Sequence, residues 1–118
     1  MTVQRGDVIL VDWSFAGGGA TKRRPALVVQ NDRDNQRLTN TILVMITSLT
    51  RRALEPTQLL IDIATPEGRQ SGLRLNSVVN CVNLFTVEQT KVVNTLGSLS
   101  PALMQQVDAC LKVALDLP

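Results

Sequence analysis

The chain contains no histidine, aromatic residues make up only 3% of it, and its two cysteines, Cys81 and Cys110, stand far apart. Without histidine it lacks the usual general base of serine, cysteine and many nuclease mechanisms. With no C-x-x-C spacing either, no zinc site is expected. Both cysteines have apolar neighbours and read as small core residues. Apolar runs are only a few residues long, too short to span a membrane as a helix. The opening MTVQRGDVIL lacks the basic, apolar and small-residue zones of a signal peptide, so a cytoplasmic location is expected. The scarcity of rings means that any base stacking must rely on Trp13, Phe15 and Phe85 or on arginine planes. Of these, Trp13 reads as core, and Phe15 reads equally as the better stacking candidate or as an anchor holding the loop down.

What is present is a chain of 118 residues with a hydrophobic fraction of 44%, which supports one folded domain over residues 1–118. The net charge of +2 permits a nucleic-acid partner without arguing for one. Placement says more, because Lys22, Arg23, Arg24, Arg33, Arg37, Arg51 and Arg52 all fall in the first half, in or beside expected loops. A positive face is expected there.

Short β-branched, apolar runs predict six strands: Val8–Trp13, Ala26–Gln30, Thr41–Ser48, Thr57–Ile63, Ser77–Leu84 and Val92–Leu96. TILVMITS is the strongest and is expected to lie centrally. The polar stretch 31–37 and the stretch 64–75 read as loops. Thr86-Val87-Glu88-Gln89 fits a capping box for one helical turn. Ser100-Pro101 starts a helix running to about Leu115, with Leu103, Val107, Cys110, Leu111 and Ala114 as its apolar stripe. Together these elements predict an α+β domain, mainly antiparallel β.

Chemistry is expected to begin at Ser14 to Gln30, SFAGGGATKRRPALVVQ. Its three glycines suit a flexible flap. The spacing fails a phosphate-binding P-loop, because Lys22 is followed by Arg23 rather than Ser or Thr. Arg23 reads as a solvated charge at a strand edge. Arg24 differs, since Pro25 biases it to an extended conformation and the following strand anchors it, which suits a phosphate-binding guanidinium. Thr47 and Ser48 end the third strand on opposite faces. The pair Arg24 and Thr47 matters only if the second and third strands are neighbours.

RGDVILVDW, the glycine-containing loop, RRPALVVQND, ILVMITS, the GL followed by NSVV, and the closing LGSLSPALMQQVDACLKVALDL together resemble the MazF/PemK/Kid toxins of bacterial toxin–antitoxin systems. The resemblance implies a small SH3-like barrel with a C-terminal helix, forming a homodimer that cleaves single-stranded RNA without metal and is blocked by a cognate antitoxin. It also implies Arg24 and Thr47 as catalytic residues, with Ser48 as the neighbouring candidate. Phe15, Lys22, Arg23, Arg51, Arg52, Asn80 and Asn83 are the candidate RNA contacts. The chemistry suits the composition, because RNA carries its own nucleophile, the 2′-hydroxyl, and the enzyme has only to align it and stabilise developing charge. Arginine side chains stay protonated in proteins, which favours an electrostatic role over acid or base work.

One departure stands out. Many relatives carry an acidic residue and then an arginine in the fifth-strand region, as in EQIRT, where this chain reads Val82-Asn83-Leu84-Phe85-Thr86. Two alternatives therefore stand beside cleavage: a gyrase-poisoning toxin like CcdB, and a weakened homologue that only binds antitoxin.

Overall fold

The computed structural model describes residues 2–13 and 22–118. The glycine-rich flap from Ser14 and the stacking candidate Phe15 lie outside the described residues. Six strands, β1 Asp7–Asp12, β2 Arg23–Val28, β3 Asn40–Thr47, β4 Gln58–Ile61, β5 Ser77–Glu88 and β6 Val92–Ser98, form one antiparallel sheet in the order β4-β5-β3-β2-β1-β6. Among the described residues three α-helices interrupt or follow it: α1 Asp32–Arg37, α2 Pro66–Gln70 and α3 Pro101–Leu115. β2 and β3 are neighbours, and β3 is an inner strand, as its sequence predicts.

Alternation along the strands divides the core in two. Val8, Leu27, Val44, Ile46, Leu59, Ile61 and Val79 face α3, whose Met104, Val107 and Cys110 are buried among them. Ile9, Val11, Ala26, Val28, Leu43, Met45 and Val87 face the other way and pack with Trp13 and Phe85. Because β3 is covered on both faces, its apolar run is continuous rather than alternating. α3 begins where Ser100 Oγ accepts from the Leu103 amide with Pro101 in the first turn, and it ends at Asp116, whose φ of 55° is left-handed.

The sheet curls at β5. Its pairing with β3 jumps from Val44↔Leu84 to Met45↔Asn80, so Cys81 to Asn83 form a bulge. No ladder joins β4 to β6 among the described residues, so the sheet is open rather than a hydrogen-bonded barrel. The segment carrying α2 lies against β6 instead. A Cβ on Gly97 would stand 2.3 Å from the Gln70 carbonyl oxygen, and one on Gly72, where φ is +75°, would stand 2.0 Å from that of Leu96. Only glycine permits these backbone-on-backbone contacts. Gln70 Nε2 adds a bond to Ser98 Oγ at 3.2 Å.

Three local expectations are corrected. The stretch 31–37 is α1, because Asn31 Oδ1 caps the Asp34 amide and the buried Asn35 bonds Gln30 and accepts from Thr41. The stretch 64–75 contains α2, capped by Thr65 on the Gly68 amide with Pro66 following. Thr86 to Glu88 are strand, because β5 keeps pairing with β3 as far as Asn40↔Glu88, and the helical turn falls at Gln89–Lys91.

Candidate functional site

Arg24 stands opposite Val11 of β1. The β2–β3 ladder ends at Ala26↔Met45, where the next residue on β2, Pro25, has no amide to donate. Carrying the same register two positions further sets Arg24 across from Thr47, which on its other side pairs with Val78 of β5. Arg24 and Thr47 share the face that carries Ala26 and Met45, turned away from α3. The expectation that these two residues meet across neighbouring strands has its structural condition met.

The pair sits in a row of contrasting neighbours. Val11 and Val78 on either side are buried, whereas Arg24 is exposed and Thr47 half-buried. Among the described residues no carboxylate pairs with the Arg24 guanidinium, although Arg5 pairs with Asp108 and Arg37 with Asp34. Thr47 Oγ1 accepts from the Leu49 amide at 3.1 Å. That bond fixes the hydroxyl and leaves its hydrogen to donate. An exposed cation thus stands across from a hydroxyl held at one end, between two buried valines.

The other sequence candidates divide by position. Lys22 is exposed at the β1–β2 mouth, where its carbonyl accepts from the Trp13 amide at 2.6 Å. Arg23 lies opposite Asp12, one residue out of phase with Arg24 and so on the other face. Ser48 is exposed in the bend that follows the end of β3. Arg51 and Arg52 are exposed in the turn that follows β3, closed by bonds such as Glu55 N to Arg52 O at 3.0 Å. Asn83 is half-buried within the β5 bulge. Asn80 shares the face of Thr47 and is tied down, its Oδ1 accepting from Gln58 Nε2 at 2.9 Å and from the Val82 amide at 3.2 Å. Gln58 escaped sequence reasoning, the only available signal being a polar residue opening the apolar strand QLLI.

Phe85 packs edge-on against Trp13 with ring centroids 4.5 Å apart and planes at 88°. It serves the core. Cys81 and Cys110 lie in the helix-facing core, away from Arg24 and Thr47. Burial, with the neighbouring Cys110 adding to it, pushes the Cys81 thiol up to about 12, and burial also raises Cys110. Neither is a nucleophile at neutral pH. No helix among the described residues is long and apolar enough to cross a membrane.

Residues 4–115 match the family described as PemK-like, MazF-like toxin of type II toxin–antitoxin system. The chain is 33% identical to endoribonuclease MazF6 of Mycobacterium tuberculosis, over 99% of this chain and 100% of the relative. It is 30% identical to endoribonuclease EndoA of Bacillus subtilis, over 99% and 97%. Among solved structures it is similar to an endoribonuclease from a mycobacterial species, with TM-score 0.79, 25% identity and coverage of 100% and 95%. A second, an endoribonuclease in complex with its cognate antitoxin, gives TM-score 0.78, 26% identity and coverage of 98% and 97%.

Proposed function

Because the chain belongs to the PemK-like, MazF-like toxin family, we propose that it is an endoribonuclease toxin that cuts single-stranded RNA with the Arg24–Thr47 face. The observation that carries this reading is the register that sets an exposed, carboxylate-free arginine across from a half-buried threonine whose hydroxyl hydrogen is left to donate. Endoribonuclease relatives that align over nearly the whole chain favour cleavage over gyrase poisoning.

In the reaction, Arg24 binds the scissile phosphate and Thr47 donates to one of its nonbridging oxygens. The substrate's 2′-oxygen attacks phosphorus and the P–O5′ bond breaks, leaving a 2′,3′-cyclic phosphate and a 5′-hydroxyl. The 2′-hydroxyl proton leaves to solvent and the 5′-oxygen takes one up. The residues contribute alignment and charge stabilisation, which need no histidine. Lys22, Arg51 and Arg52 steer the backbone, while Arg23, turned to the other face, and Ser48, beyond the end of β3, contribute less. The cytoplasmic domain 1–118 works as a homodimer and is held inactive by a cognate antitoxin.

The test is to incubate the protein with long single-stranded RNA in EDTA and map the new ends. Cutting at short recurrent sequences, lost in Arg24→Ala, is expected. RNA left intact by the unaltered protein overturns the reading.

A further inference from the structure

Asn80 is unusual among the candidate contacts in that half of its amide is already committed. Its Oδ1 accepts two bonds, from Gln58 Nε2 at 2.9 Å and from the Val82 amide of the bulge at 3.2 Å. Gln58 is buried and itself held, its Nε2 also donating to Thr57 Oγ1 at 3.1 Å. The carbonyl end of Asn80 thus points inward, and among the described residues nothing accepts from Nδ2. The side chain is half-buried, so the free end reaches solvent.

Position gives this end a purpose. Asn80 pairs with Met45, two residues before Thr47 on the same face of β3. Diagonal neighbours of this kind lie about 7–8 Å apart. A nucleotide beside the one cut at Thr47 would therefore bring its base over Asn80. An amide free to turn can read either a donor or an acceptor, whereas an amide whose oxygen is fixed can only donate.

We propose that Asn80, oriented by Gln58 and the Val82 amide, is a specificity-determining donor that selects a base with a carbonyl edge, uracil O4 or guanine O6, next to the cut, against the amino edges of cytosine and adenine. This deepens the ribonuclease reading and rests on it. Gln58 is a positioning residue that acts through Asn80.

The experiment is cleavage of a randomised single-stranded RNA pool followed by sequencing of the ends, for the unaltered protein, Asn80→Ala, Asn80→Asp and Gln58→Leu, each checked for an unchanged melting temperature. The unaltered protein should favour uracil or guanine at one position flanking the cut by about fivefold, the worth of one hydrogen bond. Asn80→Ala should flatten that position alone. Asn80→Asp keeps the inward bonds but turns the outer atom into an acceptor, so its preference should swing toward adenine and cytosine. Gln58→Leu should weaken the preference partway, since the Val82 amide still holds Oδ1. Identical profiles from the unaltered protein, Asn80→Ala and Asn80→Asp overturn this inference and leave the ribonuclease reading standing. Failure of the unaltered protein to cut any RNA overturns both.

Discussion

At the scale of single residues, Arg24 and Thr47 differ in how they could be found. Arg24 was legible because Pro25 follows it and a strand begins there. Thr47 was reached through the family resemblance alone, since its place across from Arg24 comes from the β2–β3 register, which no local pattern encodes. Acting on one phosphate, the two should be strongly coupled. Thr47→Val, which keeps the shape and removes the donor, should slow cleavage about 10- to 100-fold, the worth of a hydrogen bond to a charged group. Arg24→Ala should cost about 10²- to 10³-fold. The double variant should fall short of the product of the two, as measured by single-turnover rates.

The cysteines supply a prediction of the opposite kind, concerning stability rather than rate. Cys81 is fully buried and its folded value of about 12 lies above the ordinary 9.0. A raised folded value contributes stability that is complete below about pH 9 and is lost as pH rises toward 12, because the unfolded chain ionises first. Melting temperature should therefore fall between pH 9 and 11 more steeply in the unaltered protein than in Cys81→Ala, followed by circular dichroism.

At the scale of elements, the strands were legible to within a few residues, and so was α3 with its Ser-Pro start. Met104 was missing from the expected stripe, although it is buried. The misses share a cause. α1 and α2 are helices of six and five residues, too short to show a period, and side-chain caps and tertiary bonds hold them. β5 extends past its expected end because β3 offers it partners as far as Asn40. The packing of the α2 segment on β6 was hidden too, since glycines in a loop look alike whether they turn or are pressed upon. Gly97→Ala should destabilise by about 2 kcal/mol or more and lower the melting temperature by at least about 5 °C. The Cβ would collide with backbone, not with a side chain that can move away. A melting curve unchanged from the unaltered protein would contradict the packing of α2 on β6.

At the scale of the whole molecule, the mainly β fold and its antiparallel sheet followed from composition and pattern, whereas the openness of the sheet did not. A modest net charge of +2 conceals the clustering of Lys22, Arg24, Arg51 and Arg52 around one end of β2 and β3. Affinity for a non-cleavable RNA should fall with salt, with a log–log slope of about −2 to −3. Replacing Arg51 and Arg52 by alanine should reduce the magnitude of that slope by about 1.4, as read by fluorescence anisotropy.

The central claim is that the Arg24–Thr47 face aligns the 2′-hydroxyl of RNA with its own phosphate. The most direct measurement uses an oligonucleotide bearing the preferred site with a single 2′-deoxy substitution at the nucleotide before the cut. Rapid cleavage of the all-ribose strand to a 2′,3′-cyclic phosphate and a 5′-hydroxyl, with none of the substituted strand, is the result expected. Cleavage of both strands at the same bond would contradict it.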